Sequence, residues 1–254
     1  MTARGSVLWA GVIATVAPAP LRINHMPDSP DPMDTRFAHI DTWVFDLDET
    51  LYPPGASLFP QIETRMTRWI QDFLRVDAAE ADRLRSQWWH DHGTSLAGLM
   101  ADHGVAPEPF LEDVHDVDFG GLSPDPILAG LIDALPGRKI VFTNGTADYA
   151  RNVLAARGLT GIWDAVHGVE HAGYVPKPQR AAYDRVFARD GLTPQRAAMF
   201  EDTARNLAVP HDLGMSTVHV APARAEGAHV HHHTTDLSAF LRGILTPGLA
   251  ILRP

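Results

Sequence analysis

The feature that most constrains this chain is an apolar run at residues 43–45 that leads directly into two carboxylates, Asp46 and Asp48. The run predicts a buried strand that delivers both acids at its carboxyl end. Burying an unpaired carboxylate costs roughly several kcal/mol, or forces the group to hold a proton. Together with Thr50, the two acids form the pattern Asp-x-Asp-x-Thr. The strand end is therefore better explained as a functional site than as part of the core.

A second apolar run, at residues 139–142, ends in a hydroxyl, an amide and a glycine at Thr143, Asn144 and Gly145. These groups offer an O–H donor, an N–H₂ donor and a backbone that permits close approach, which suits a phosphate. Residues 146–157 carry apolar side chains at helical spacing and predict a helix that begins at this turn. A strand, a polar turn and a helix N-terminus together predict an anion site.

Lys177 stands out because the chain has 21 basic residues and only two of them are lysines. It lies between Pro176 and Pro178, which restrict the backbone of the loop. A lysine in a chain that otherwise uses arginine indicates a need for a compact point charge rather than a planar guanidinium. The other lysine, Lys139, precedes the second strand and has no predicted role.

A further apolar run, at residues 197–200, ends in two more acids, Glu201 and Asp202. Two further carboxylates near Asp46 would repel it unless a cation lies among them. Hard oxygen ligands around a phosphoryl group favour Mg²⁺. The sequence therefore predicts a magnesium site that acts on a phosphate.

The composition argues against several other classes of function. The 31 acidic and 21 basic residues give a net charge of −10 without a basic stripe, which argues against a nucleic acid partner. Without cysteine the chain forms neither disulfides nor thiolate or cysteine-ligated zinc sites. The apolar run at residues 7–17 is too short to span a bilayer. We expect a cytoplasmic protein that binds a small molecule and no membrane, with its oligomeric state left open.

The long segment between the first two motifs predicts an inserted helical domain. Apolar side chains between Ile62 and Leu74 recur at the spacing of an amphipathic helix. Further helices are predicted near residues 78–90, 96–103 and 110–117. Four helices inserted after the first strand would close over the predicted site and exclude water.

These motifs, in this order, resemble those of the haloacid dehalogenase (HAD) superfamily, most of whose members are Mg²⁺-dependent phosphohydrolases. The resemblance covers residues 40–222 and extends to the pyrimidine 5′-nucleotidase group. One departure is Glu49, which stands where that group more often has Asn. The stretches that carry the closer resemblance are residues 46–53, 142–145, 175–178 and 200–207.

The resemblance implies an α/β fold: a Rossmann-like core with a parallel sheet, plus an inserted four-helix cap. We expect the core to comprise residues 37–52 and 123–254, and the cap to comprise residues 53–122. Residues 1–36, rich in proline, are interpreted as a disordered N-terminal extension in preference to an export signal.

The resemblance also implies a mechanism. Asp46 would be the nucleophile that forms an aspartyl-phosphate, and Asp48 the acid that protonates the leaving alcohol and then the base that activates water. Mg²⁺ would be held by Asp46, the carbonyl of Asp48, and Asp202, with Glu201 binding it either directly or through a water. Lys177 would steady the nucleophile. The phosphoryl oxygens would be bound by Thr143, Asn144, Gly145 and Lys177.

The expected activity is Mg²⁺-dependent hydrolysis of a small phosphomonoester, most simply a pyrimidine nucleoside 5′-monophosphate. Another small-metabolite phosphatase and a phosphoglucomutase-like transferase remain alternatives. A 2-haloacid dehalogenase would use the same nucleophile on carbon without metal, but that chemistry needs neither Asp48 nor the Glu201-Asp202 pair. A non-catalytic member that kept the fold is the remaining alternative.

Some conspicuous residues have less specific interpretations. Tyr52 is expected either to line the entrance to the site or to pack at the hinge of the cap. Trp88 and Trp89 are expected to be core residues of the cap, with stacking on a nucleobase as the alternative. The histidine-rich stretch at residues 229–233 is expected to be a solvated loop rather than a metal site.

Overall fold

The computed structural model describes residues 34–246, together with Met1. The strands of this range are β1 (Thr42–Phe45), β2 (Arg138–Phe142), β3 (Ala165–His167), β4 (Ala197–Glu201), β5 (Ser216–Val220) and β6 (His232–Thr234). Its α-helices are α1 (Phe59–Leu74), α2 (Ala78–His92), α3 (Ser95–His103), α4 (Pro107–Val114), α5 (Pro126–Asp133), α6 (Ala147–Ala156), α7 (Arg180–Asp190), α8 (Ala208–Asp212) and α9 (Leu237–Leu245).

The six strands form one sheet in the order β3-β2-β1-β4-β5-β6, and every neighbouring pair is parallel. Phe45 at the end of β1 lies opposite Val141 of β2 and Phe200 of β4. Because parallel strands end at the same edge, the polar residues after β1, β2 and β4 are neighbours at the centre of that edge. The predicted α/β fold with a parallel sheet is confirmed.

Both faces of the sheet are apolar because helices cover both. Side chains alternate along β1, so Trp43 and Phe45 join the larger hydrophobic cluster while Val44 joins the cluster on the opposite face. The rings of Phe45 and Phe200 stack at 4.6 Å across the β1–β4 pair. This packing rigidly supports the strand ends that carry the acids.

The predicted four-helix insertion is present as α1–α4, which lie between β1 and α5. The first three helices agree with their predicted positions within a few residues. The fourth begins and ends three residues earlier than the predicted 110–117, because Pro107 suits the first turn of a helix and the helix ends before His115. The domain boundaries at residues 53 and 122 remain a prediction.

Most of the predicted N-terminal extension, residues 2–33, lies outside the described residues. From Asp34 onward the chain contacts the core: the Asp34 amide donates to the Ile244 carbonyl at 2.9 Å, and Phe37 is fully buried. No helix among the described residues has the length and apolarity needed to cross a membrane.

The histidine-rich stretch is not the solvated loop that the sequence suggested. It contains β6, which pairs with β5 at the edge of the sheet. His231 Nδ1 accepts from the Thr217 amide at 3.2 Å, and His233 Nε2 donates to the Ala221 carbonyl at 2.9 Å. The local sequence is polar enough for a loop, but the ring nitrogens of His231 and His233 satisfy backbone groups of the neighbouring segments.

Candidate active site

Asp46 follows β1 directly and is buried. Its Oδ1 accepts a hydrogen bond from Lys177 Nζ at 2.6 Å, and its Oδ2 accepts one from Thr50 Oγ1 at 3.2 Å. The spacing of the Asp-x-Asp-x-Thr motif is thus explained locally, because the Thr50 hydroxyl donates to the carboxylate of the residue four positions earlier. The side chain is fixed at the strand end by one cation and one hydroxyl.

Lys177 is the buried cation of the site, with 1% of its surface exposed. Its Nζ donates to Asp46 Oδ1 at 2.6 Å, to Glu201 Oε2 at 2.7 Å and to the Phe142 carbonyl at 3.0 Å. All three protons of the ammonium therefore have acceptors. Burial lowers the pKa of Lys177, but the two carboxylates outweigh it and raise that pKa above its ordinary value.

Asn144 holds the loop that carries Lys177. Its Oδ1 accepts from the Lys177 amide at 2.8 Å, and its Nδ2 donates to the Lys177 carbonyl at 3.1 Å. Both polar ends of this side chain are thus engaged by the lysine backbone. The contact of Asn144 with a phosphate remains a prediction, and the geometry adds a second role, the placement of Lys177.

Thr143 and Gly145 lie together at the end of β2. The Thr143 hydroxyl oxygen accepts from the Gly145 amide at 2.9 Å, so its proton is available to a ligand. Both residues line the same cavity as Asp46 and Lys177. The structure therefore brings the four predicted phosphate ligands and the predicted nucleophile to one edge of the sheet.

Three carboxylates cluster near Lys177, and two of them, Asp46 and Glu201, bind it directly. Ligand oxygens of Asp46, Glu201 and Asp202 all lie within 4.8 Å of one another, and no other such group of acids or histidines occurs in the described range. Burial and the neighbouring Glu201 raise the pKa of Asp46 to about 7. Burial, together with the nearby charges of Glu201 and Asp46, raises the pKa of Asp202 to about 10. A set of hard oxygen donors with too little positive charge among them fits Mg²⁺.

The acidic pair after β4 is held by further contacts. Glu201 Oε1 accepts from the Thr203 amide at 3.2 Å, so both of its oxygens have partners, the other being Lys177. The Asp202 carbonyl accepts from His219 Nε2 of β5 at 2.8 Å. Whether Glu201 meets the ion directly or through water, and whether the Asp48 carbonyl is a ligand, remain predictions.

Asp48 is held by two tyrosines. Its Oδ1 accepts from Tyr52 at 2.7 Å and from Tyr149 at 2.6 Å. Burial raises the pKa of Asp48, and the two phenols partly oppose that rise. Burial also raises the pKa of each tyrosine far above its ordinary value, so both remain donors. Tyr52 is buried and bound to Asp48, a contact that neither interpretation of this residue had included.

Glu49 adopts a left-handed backbone conformation with φ of 59°. Such a conformation is uncommon for residues other than glycine and is better tolerated by Asn than by Glu. This is a physical reason why Asn is favoured at this point of the motif. The Glu49 carboxyl lines the cavity beside Asp48, and burial raises its pKa.

The site opens into a cavity of about 630 Å³ between the sheet edge and the inserted helices. Trp88 is buried, as expected, and donates to Asp102 at 2.7 Å. Trp89 is instead 47% exposed, and the Arg205 guanidinium lies 3.6 Å above its ring. The insertion lines the cavity largely with apolar side chains, among them Phe59, Ile62, Met66, Leu96, Phe110, Leu111 and Val114.

Three residues near the site had not been singled out from the sequence: Tyr149, Arg205 and His219. Tyr149 lies in the first turn of α6, where the predicted helix N-terminus could have drawn attention to it. Arg205 donates to the Trp89 and Gly93 carbonyls at 2.9 and 3.2 Å, joining the segment after β4 to the end of α2. No local pattern distinguishes Arg205 or His219, because their partners are distant in sequence.

Comparison with known proteins agrees with this geometry. The family model for haloacid dehalogenase-like hydrolases matches residues 40–214. The chain is 28% identical over 202 residues to enolase-phosphatase E1 of Frankia alni, covering 70% of this chain and 84% of that protein. It is also 28% identical over 181 residues to (S)-2-haloacid dehalogenase of Xanthobacter autotrophicus, covering 70% of this chain and 68% of that protein.

Among solved structures, a HAD phosphatase from Thermococcus onnurineus superposes with a TM-score of 0.54 at 19% identity, covering 81% of this chain and 98% of that one. At this identity the likeness shows the fold alone. The family match spans more than half of the sequence and includes the strand ends that carry Asp46, Thr143 and Glu201 and the loop that carries Lys177. The chain therefore belongs to the haloacid dehalogenase-like hydrolases.

Proposed function

We propose that this protein is a Mg²⁺-dependent phosphomonoester hydrolase that works through an aspartyl-phosphate on Asp46. The observation that carries the proposal is the charge balance at the sheet edge. Asp46 and Glu201 are buried and both bind Lys177, an oxygen of Asp202 lies within 4.8 Å of theirs, and a second aspartate, Asp48, stands two residues beyond the first. This arrangement supplies a nucleophile, an acid and a cation site within one cavity.

In the first step Asp46 attacks phosphorus and the bond from phosphorus to the leaving oxygen breaks. Asp48 donates its proton to that oxygen, so the product leaves as a neutral alcohol. In the second step Asp48 takes a proton from water, which attacks the aspartyl-phosphate and releases inorganic phosphate. Lys177 orients Asp46 throughout, while the Thr143 hydroxyl, held by the Gly145 amide, donates to a phosphoryl oxygen.

Mg²⁺ held by Asp46, Asp202 and the Asp48 carbonyl, with Glu201 beside it, would neutralise negative charge on the phosphoryl group. Two further requirements, a fixed nucleophile and a site that excludes bulk water, are met by residues of the chain itself. The buried ion pairs of Lys177 fix the nucleophile, and the apolar wall of the cavity excludes bulk water from the reacting centre.

A 2-haloacid dehalogenase is the second candidate, because a dehalogenase is among the relatives. That reaction displaces halide from carbon and needs no proton donor for a leaving alcohol. Here Asp48 is held in place by two phenols, and the acids after β4 point to a cation. These features favour the phosphatase.

For the substrate we propose a nucleoside 5′-monophosphate. The motif resemblance to pyrimidine 5′-nucleotidases supports it, and so does an apolar cavity large enough for a sugar and a base beyond the phosphate. Other small phosphomonoesters fit the same chemistry, and a phosphoglucomutase-like transferase would use the same nucleophile.

The test is a screen of phosphate release with Mg²⁺ over nucleotides, sugar phosphates and phosphoglycolate, with halide release from 2-chloropropionate measured in parallel. We expect phosphate release and no halide release, with nucleoside monophosphates turned over fastest. Asp48→Asn is the discriminating variant, because it removes the proton donor that only phosphoester hydrolysis needs. Halide release that survives Asp48→Asn would establish the dehalogenase instead.

A further inference from the structure

The carboxylate of Asp48 is held asymmetrically. Both phenol contacts, 2.7 Å from Tyr52 and 2.6 Å from Tyr149, fall on Oδ1. Within the described residues Oδ2 receives no hydrogen bond from the protein. The two tyrosines come from different elements, one four residues after Asp48 and the other from α6, 101 residues away. Both are buried, with 2% of their surface exposed.

This asymmetry assigns different tasks to the two oxygens. A phenol donates one hydrogen bond, and an oxygen that accepts two of them is the less favourable place for a proton. Oδ2, which has no donor from the described residues, is therefore the oxygen that is free to approach the leaving group of a substrate. Two donors on one oxygen also restrict rotation of the carboxyl group, so the proton is held in one direction.

A residue of the inserted helices supports one of these phenols. The His115 ring, directly after α4, stacks on the Tyr149 ring with centroids 4.3 Å apart and planes 11° apart. The Thr146 hydroxyl lies 3.4 Å from His115 Nδ1, and the same hydroxyl caps α6 by accepting from the Tyr149 amide at 3.2 Å. The insertion thus contacts the core where Tyr149 reaches Asp48.

We propose that Tyr52 and Tyr149 are positioning residues that hold Asp48 with its Oδ2 toward the leaving oxygen of the substrate, and that His115 supports Tyr149 by stacking. The inference rests on the proposed phosphatase function. It accounts for two buried phenols that the nucleophile, the lysine and the cation site do not require.

The test uses Tyr52→Phe, Tyr149→Phe and the double variant, with Tyr174→Phe as the matched control. The Tyr174 phenol donates to Glu108 at an exposed position and does not line the cavity. Each variant is assayed on 4-nitrophenyl phosphate, whose leaving group departs readily without a proton, and on an alkyl phosphomonoester, whose leaving group needs one. Comparing kcat/KM for the two substrates isolates the first step, in which the leaving group departs, from hydrolysis of the aspartyl-phosphate, which is common to both substrates.

General acid catalysis contributes about 10²–10⁴-fold. We expect the double variant to lose at least about 10-fold in kcat/KM on the alkyl phosphate and to stay within about 3-fold on the aryl phosphate, as partial loss of a positioned acid would produce. Asp48→Asn should show the same selective loss of kcat/KM in stronger form, and it should also lower kcat on both substrates because it removes the base of the second step. His115→Ala should follow the double variant weakly, while His115→Phe, which keeps a stacking ring, should restore the wild-type ratio.

An equal loss of kcat/KM on both substrates would show that the tyrosines only maintain the structure and would overturn the proposal. So would unchanged kinetics in the double variant. These outcomes are distinct from failure of the proposed function itself, in which the wild-type protein releases no phosphate from either substrate and the positioning role falls with it.

Discussion

The two ends of the central strands carry charged residues in opposite arrangements. At the amino end, Arg196 Nε binds Asp41 at 2.6 Å and Arg138 Nη1 binds Asp190 at 2.6 Å, so each acid has its own guanidinium. At the carboxyl end, Asp46 and Glu201 bind the single cation Lys177, these three side chains are buried, and half-buried Asp202 lies beside them. The same strands therefore end in balanced charge on one side and in excess negative charge on the other.

The difference separates structural charge from functional charge. A solvated ion pair such as Arg196–Asp41 contributes about 0–1 kcal/mol, and the buried Asp190 is compensated by the Arg138 guanidinium, so neither acid needs a further explanation. Burying like charges together is unfavourable unless another cation or a proton compensates them. The Arg196 contact accordingly lowers the pKa of Asp41, whereas burial and neighbouring acids raise the pKa of Asp202 to about 10. A cation bound at the carboxyl end would compensate this excess negative charge.

The largest effect is expected from removing the proposed nucleophile at the carboxyl end of the sheet. We expect Asp46→Asn to reduce turnover below about a thousandth of the wild-type rate, a loss of about 4 kcal/mol of transition-state stabilisation. The fold should persist, because the amide keeps the shape of the side chain. Phosphate release and the circular dichroism spectrum measure the two effects.

The control for this substitution is Asp41→Asn at the amino end, which should leave turnover unchanged. Retention of about a tenth of the wild-type rate by Asp46→Asn, a loss of only about 1.4 kcal/mol, would contradict the assignment of the nucleophile.

Metal removal is expected to have the next largest effect. EDTA should abolish phosphate release and Mg²⁺ should restore it, because the ion compensates the excess carboxylates. Mg²⁺ at about 100 times its Kd should also stabilise the protein by about 2.7 kcal/mol, which thermal unfolding detects without any assay of activity.

Asp202→Asn should remove most of that stabilisation, whereas Asp41→Asn should preserve it. Full activity in chelator would instead favour dehalogenase chemistry. A shift in unfolding that is equal in both variants would place the ion somewhere other than the carboxyl end of the sheet.

The two lysines allow the same substitution to be tested at both ends of β2. Lys139 lies near its amino end, and Lys177 contacts the Phe142 carbonyl at its carboxyl end. Lys177→Arg should lower kcat at least about 100-fold, roughly 2.7 kcal/mol, because a planar group cannot reproduce three short contacts from one nitrogen. Lys139 donates to the Leu135 carbonyl at 3.2 Å at the amino end, and Lys139→Arg should be neutral. Steady-state kinetics of both variants measure the difference. Equal, small effects would show that Lys177 has no special role.

The smallest effect is expected from the exposed pair at the amino end. Arg196→Ala should reduce the free energy of unfolding by less than about 1 kcal/mol, because both partners are solvated. About 1 M salt should shrink the effect further by screening. Urea unfolding at low and high salt measures it. A salt-independent loss above about 2 kcal/mol would show that this end, too, depends on a buried charge.

How far the site could be predicted depended on where each residue finds its partner. Asp46, Thr143 and Glu201 end apolar runs, so local pattern and parallel pairing place them together. Lys177 was marked by composition, although its three acceptors come from three different segments. Asn144 was expected to contact phosphate, and its amide proved to hold the Lys177 backbone, a pairing across 33 residues that no local pattern encodes.

The errors in secondary structure have similar causes. The start of α4 was missed because apolar periodicity begins only at Phe110, whereas proline at position 107 already suits a helix start. The histidine-rich stretch has no apolar alternation, and β6 forms there because β5 offers an open edge to pair with. Propensity is a weak guide where an existing sheet edge supplies the hydrogen bonds.

By itself the sequence determined the α/β class, the helical insertion after the first strand and the acids, hydroxyl and lysine of the site. These follow from periodicity over a few residues and from the chemistry of strand ends. Tertiary structure alone decided that Tyr149 reaches Asp48, that His115 stacks on that tyrosine, and that Arg205 joins the end of α2. Each of these contacts depends on how two distant segments pack, and the free energy of such packing is not encoded in the spacing of either segment.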